Sequence, residues 1–113
     1  MKKLREKLLE RCKGYCELCG GSLGDNWALH HRKLKSRGGK DEIANIVALH
    51  HKCHNLGTDS VHLNPARAKE TGFMVSSWDD PVLIWILYYD GFKVYLKNDG
   101  TIERAKECQE NQR

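Results

Sequence analysis

The sequence predicts a small α+β fold, and three features of the chain carry that prediction. The spacing of apolar residues switches from helical near the N-terminus to alternating around positions 27–31 and 43–49. Cysteines and histidines recur in pairs separated by two residues, as Cys16-x-x-Cys19 and His50-x-x-Cys53, and all six histidines fall between His30 and His62. From Pro81 onward, apolar runs alternate with short turn sequences.

Taken in order, Leu4, Leu8 and Leu9 at helical spacing predict a short amphipathic helix over 2–12 that leads into the cysteine pair. Gly14, Gly20, Gly21 and Gly24 then mark a turn-rich stretch, in which Cys16-Glu-Leu-Cys19-Gly-Gly reads as a tight knuckle presenting two thiolates to one point. Trp27 to His31 reads as a strand. The next nine residues, Arg32 to Lys40, hold five positive charges, no acid and a Gly-Gly pair, which predicts a flexible loop. Ile43, Ile46, Val47 and Leu49 predict a second strand after Asn45, and His50 to Leu56 a helix ending near Gly57. Asn64-Pro65 supplies an N-cap with proline at the first helical position, and Gly72 a stop, so a flanking helix is expected over 64–72. VLIWILYY, FKVYL and Thr101-Ile102, separated by Asp90-Gly91 and Asn98-Asp99-Gly100, predict a C-terminal β-meander over 81–103. A frayed helix is expected in the polar tail after Glu103.

The length of 113 residues fits a single domain, 1–113, with one small core. With 40% hydrophobic and 30% charged residues and a negative mean hydropathy, its apolar reserve is thin, and a bound metal would supply the missing stability. Five cysteines at uneven spacing do not suit a disulfide framework, and the N-terminus lacks the apolar stretch of a secretory signal. The apolar run from Pro81 to Tyr89 is far short of the ~20 residues that cross a bilayer. A cytoplasmic protein with reduced thiols, and no membrane partner, is expected. The net charge of +4 is unevenly placed: residues 1–40 carry 11 Lys and Arg against 4 Asp and Glu, residues 41–80 carry 3 against 6, so a polyanion would bind the basic half.

Structural zinc takes four Cys or His ligands in a tetrahedron, commonly from two well-separated knuckles. Cys16 and Cys19 supply the first pair, and His50 and Cys53 the second, where neutral imidazole replaces a thiolate. Cys12 is a rival ligand if the second knuckle fails, Cys108 a bystander, and His51 faces solvent. Adjacent residues on a strand point to opposite faces, so His30 and His31 serve different tasks.

The stretch LHHRKLKSRGG, then Asn45, then LHHKCHN resembles, in order and spacing, the motif of the HNH endonuclease family and its ββα-metal fold, over residues 16–56. The resemblance implies a zinc-stabilised HNH core over 12–58. A weaker similarity runs through His62-x-Asn64-Pro65-x-x-Ala68 and Gly72, a tail associated with phage-encoded and bacterial HNH proteins found beside DNA-packaging genes. Position by position, the resemblance implies that His31 is the general base activating water, that His30 and His54 bind a catalytic divalent cation, and that Asn45 bonds to backbone across the strands and orients His31. The metal implied is Mg²⁺ or Mn²⁺, with Ni²⁺ or Co²⁺ tolerated by a histidine pair. His30 stands where the family often has aspartate, which bears on metal preference. No role follows for His62, which precedes the capped helix.

Arg32, Lys33, Lys35, Arg37 and Lys40 are expected to neutralise DNA phosphates, contacts without a sequence code, with Arg37 the foremost of them. The chain shows no recognition helix, so weak sequence preference, nicking, or targeting by a partner is expected. The leading expectation is a metal-dependent DNA endonuclease, an accessory to phage terminase in an infected or bacterial cell. The alternatives are a zinc-stabilised nucleic-acid-binding or terminase-interacting module without turnover, and a zinc-ribbon interaction domain with one zinc per chain.

Overall fold

The computed structural model describes residues 2–58 and 60–105. Helix α1 (Lys2–Cys12) packs on a two-stranded antiparallel hairpin of β1 (Ala28–His31) and β2 (Ile46–Leu49), in the register His30 opposite Val47 and His31 opposite Ile46. A π-helical turn (Lys52–Leu56) follows β2, then α2 (Pro65–Thr71). A separate antiparallel sheet joins β3 (Ile86–Leu87), β4 (Lys93–Leu96) and β5 (Ile102–Arg104) in chain order. The expected strand, loop, strand, helix succession is therefore present, but the helix expected over His50 to Leu56 is a single π-helical turn, wound wider than an α-helix.

One apolar cluster ties the two sheets together. Leu8 of α1, Ile46, Val47 and Leu49 of β2, Phe73, Ile86 and Leu96 are all fully buried in it. A polar network crosses the same core. Glu17, inside the cysteine knuckle, accepts two hydrogen bonds from the Arg11 guanidinium at 2.9 and 3.0 Å, one from the Ala48 amide at 2.9 Å and one from the Tyr88 hydroxyl. Arg11 also donates to the carbonyls of Ile43 and Ile46. Burial works against the Arg11 charge, but the Glu17 carboxylate outweighs it and holds the guanidinium above its ordinary pKa. Burial, then the Glu17 charge, pushes the Tyr88 phenol up. Knuckle, helix, hairpin and C-terminal sheet are thus fixed to one carboxylate.

Arg32 does not reach solvent. It follows β1 on the same side as His30, is fully buried, and donates to the carbonyls of Gly72 (2.8 Å), Ala44 (3.0 Å), Pro81 (3.0 Å) and Ile84 (2.7 Å). Burial, then repulsion from Arg11, lowers its pKa to about 10. The expectation that Arg32 touches phosphate is therefore corrected: its donors are consumed inside the protein. The same bonds explain why the strand expected from Pro81 begins only at Ile86. With the Pro81 and Ile84 carbonyls turned to the guanidinium, and Asp80 capping the Val82 amide, Pro81–Leu83 forms a 3₁₀ turn instead.

Arg32→Met is expected to destabilise the fold by about 3–5 kcal/mol, since four buried carbonyls lose a donor together. Urea unfolding of the zinc-loaded protein checks it, with Arg37→Met, at an exposed position, expected within about 0.5 kcal/mol of wild type.

Two further expectations change in detail. Where a flexible loop was expected, the Gly38-Gly39 pair forms a close turn that only glycine fits: Gly38 has φ +90°, and a Cβ on Gly39 would lie 1.7 Å from the Lys33 carbonyl oxygen. Helix α2 begins and ends where expected, with Gly72 left-handed at its C-terminus, but the Asn64 side chain does not cap it. That amide donates to the Thr58 and Ser60 carbonyls and closes the loop before the helix. The last strand runs through Arg104, and the frayed helix expected in the tail, like Cys108, lies outside the described residues.

Candidate metal centres

Two clusters of side chains able to ligate a metal share the turn after β2, which supplies Cys53 to one and His54 to the other. The first comprises Cys16, Cys19, His50 and Cys53, whose donor atoms all lie within 4.8 Å of one another. The knuckle is closed by the Cys16 amide on the Gly21 carbonyl and the Gly20 amide on the Cys16 carbonyl, both 2.8 Å. His50 Nδ1 is 3.2 Å from Cys19 Sγ and 3.9 Å from Cys53 Sγ. Its Nε2 lies 2.7 Å from the Ser22 carbonyl oxygen. A carbonyl can only accept, so the ring proton is on Nε2 and the Nδ1 lone pair faces the sulfurs.

Burial, then the neighbouring thiols, pushes Cys53 up to about 12. At Cys19, burial is outweighed by hydrogen bonds from the Gly21 backbone and the surrounding side chains, and the thiol is lowered. A divalent cation would hold all three as thiolates. Three sulfurs and one imidazole form a donor set compatible with zinc. Cys12 is not among them: it is buried in the core, its Sγ 3.9 Å from the Leu9 carbonyl.

The second cluster comprises His30, His54 and His62, again with donor atoms within 4.8 Å of one another. His30 is buried, and its Nε2 donates to the Phe73 carbonyl at 2.6 Å, which leaves Nδ1 as the free lone pair. Burial lowers its pKa to about 3, against the opposing effect of the Phe73 bond, so the ring is neutral and able to ligate. His54 is lowered as well, first by burial and then by the charge of His62. The ring centroids of His54 and His62 are 4.5 Å apart, and each is 5.1–5.2 Å from that of His30. His62, for which no role follows from the sequence, is brought in by backbone: its amide donates to the His54 carbonyl, and the Val61 amide to the Cys53 carbonyl.

His31 points to the other side of β1. Its Nε2 is 2.7 Å from Asp41 Oδ1, and Lys35 Nζ lies 3.5 Å from the same oxygen. The hydrogen bond from His31, helped by the Lys35 charge against desolvation, holds the Asp41 carboxyl below its usual range. Since the carboxylate accepts, neutral His31 carries its proton on Nε2 and its basic lone pair on Nδ1. Asp41 was not picked out from the sequence, where it is only the first acid after a basic loop.

Asn45 is buried beneath this loop. Its Oδ1 accepts from the Lys33 amide at 2.7 Å, and its Nδ2 donates to the carbonyls of Lys33 (3.1 Å) and Lys40 (3.0 Å), clamping both ends of the segment after His31. Lys35, Arg37 and Lys40 are exposed, Lys33 is half-buried, and Arg32 is internal. His51 is half-buried, with its Nε2 3.1 Å from Asn26 Oδ1.

Among the described residues no helix is long and apolar enough to cross a membrane. Residues 16–60 match the family model described as HNH endonuclease. No curated protein and no solved structure gives a significant match to the chain. The matched span takes in the whole cysteine cluster, His30, His31, Asn45 and His54, and ends before His62.

Proposed function

We propose, on the match of residues 16–60 to the HNH endonuclease family model, that the chain is a metal-dependent endonuclease that hydrolyses DNA phosphodiester bonds, by nicking or double-strand cleavage, with 1–113 acting as one domain. One observation carries this reading. The neighbours His30 and His31 diverge from β1 so that the first joins His54, while the second keeps a free Nδ1 with Asp41 behind its other nitrogen.

In this reading His31 Nδ1 takes a proton from the attacking water, and the Asp41 carboxylate stabilises the imidazolium that results. Asn45 keeps the segment from Lys33 to Lys40 closed and thereby fixes where His31 and Asp41 meet. Lys33, Lys35, Arg37 and Lys40 hold the flanking phosphates by charge. His30 and His54 would hold a divalent cation, which when bound neutralises charge gathering on the scissile phosphate and the departing 3′ oxygen. Zinc at Cys16, Cys19, His50 and Cys53 would be structural. The products are a 5′ phosphate and a 3′ hydroxyl. The similarity of residues 62–72 to a tail found in phage and bacterial HNH proteins supports a role as a DNA-packaging accessory, with terminase subunits as partners in the cytoplasm of the host.

An end-labelled DNA duplex tests the reading. Cleavage dependent on added divalent cation, abolished by EDTA and leaving 5′-phosphate ends is expected. Tight binding without cleavage under any cation would replace it with a nucleic-acid-binding module without turnover.

A further inference from the structure

The family match stops at residue 60, yet the structure places one more imidazole on the cation site proposed above. We infer that His62 is a third ligand of the cation held by His30 and His54, and that the resulting all-imidazole site selects a transition metal such as Ni²⁺, Co²⁺ or Zn²⁺ over Mg²⁺.

The geometry of the pair His54 and His62 carries the first half. Their Nε2 atoms are 3.0 Å apart. Two nitrogens bound to one ion at about 2.0–2.1 Å, at angles between octahedral and tetrahedral, stand roughly 2.9–3.4 Å apart. The backbone carrying His62 is held beside His54. The His62 amide bonds to the His54 carbonyl at 3.0 Å, the Val61 amide to the Cys53 carbonyl at 2.9 Å, and the Asn64 side chain to two carbonyls of the same loop. His30 completes the set from the hairpin, with Nε2 committed to Phe73 and Nδ1 left to ligate.

Donor chemistry carries the second half. The cluster offers three imidazole nitrogens and no carboxylate. Mg²⁺ demands oxygen ligands and gives up water reluctantly, whereas imidazole suits zinc, nickel and cobalt. His30 lies at the buried end, His54 is half-buried and His62 is exposed, so the site opens to solvent on the side of His62, where a phosphate oxygen has access. This departs from the Mg²⁺ or Mn²⁺ that the resemblance alone implied.

The inference rests on the proposed cation site but is tested without cleavage. Metal-free wild type, His62→Ala and His62→Gln would be loaded first with one equivalent of Co²⁺, enough for the cysteine cluster alone, and then titrated calorimetrically with Ni²⁺ and with Mg²⁺. The cobalt–thiolate absorption band of the cysteine cluster is expected in all three, which shows that the variants fold. Wild type is expected to bind Ni²⁺ at a second site, the variants to bind it at least tenfold to a hundredfold more weakly, and none to bind Mg²⁺ comparably. Ni²⁺ affinity unchanged in both variants, or Mg²⁺ binding as tightly as Ni²⁺, overturns the inference. DNA cleavage on the same samples separates the two readings. Cutting with Mg²⁺ that ignores His62 sinks this inference and leaves the nuclease standing, while His62-dependent Ni²⁺ binding without any cutting does the reverse.

Discussion

Replacing His31 with alanine is expected to slow DNA cleavage by about 10²–10⁴-fold, the range over which a positioned general base contributes, while metal content and DNA affinity stay at wild-type levels. The separation of effects follows from β1. His31 projects away from the histidine cluster and its side chain makes its hydrogen bond to Asp41 at the surface, so its loss leaves both clusters and the core intact. His30→Ala, one residue earlier, would instead empty a buried position and remove a candidate ligand. The informative comparison is cleavage rate under saturating cation beside DNA affinity of the zinc-loaded protein with no further cation added. A His31→Ala protein that cuts at the wild-type rate would remove the base from its proposed role and leave the family match without a mechanism.

Stripping zinc is expected to have the largest effect on stability. Zinc-finger peptides gain about 10–16 kcal/mol of apparent binding energy from a structural site, and a small domain with a thin core is unfolded without it. Here the cluster is continuous with the core: Cys16 is fully buried, and the adjacent Glu17 ties Arg11, Ala48 and Tyr88 to the knuckle. Chelation, or Cys16→Ser, is therefore expected to abolish the cooperative thermal transition and the near-ultraviolet dichroism of the aromatic residues. Cys12→Ala is the control, since Cys12 is also buried but lies outside the cluster, and its zinc content is expected to be unchanged. A Cys16→Ser protein that melts like wild type would show that the clasp is dispensable.

Much of this architecture was readable because local patterns and tertiary structure agree. The helical leucines of α1, the alternation of β1, the paired Cys and His spacings and the Asn-Pro to Gly frame of α2 each appear within a residue or two of expectation. What escaped depends on residues far apart in the chain. Arg32 looked like part of a basic loop, yet the alternation that buries Ala28 and His30 runs on to it, and its bonds span up to 52 residues, to Ile84. Those bonds in turn replaced the first part of an apparent strand with a 3₁₀ turn. Asp41 became visible as the partner of His31 only once the clamp by Asn45 folded the loop back. His62 had one sequence signal, its membership in a chain segment that holds every histidine, but the backbone bonds that carry it to His54 have no local signature.

The central claim is that one cation among His30, His54 and their neighbours enables His31 to direct water at a phosphodiester. The most direct measurement follows nicking of supercoiled plasmid and metal occupancy together, on protein whose cysteine cluster is already filled with zinc. Nicking is expected to be absent at that point, to rise in step with occupancy of the histidine cluster and to level off when that cluster is full. Nicking by protein carrying metal in the cysteine cluster alone, or a full histidine cluster that leaves the circles uncut, would contradict it.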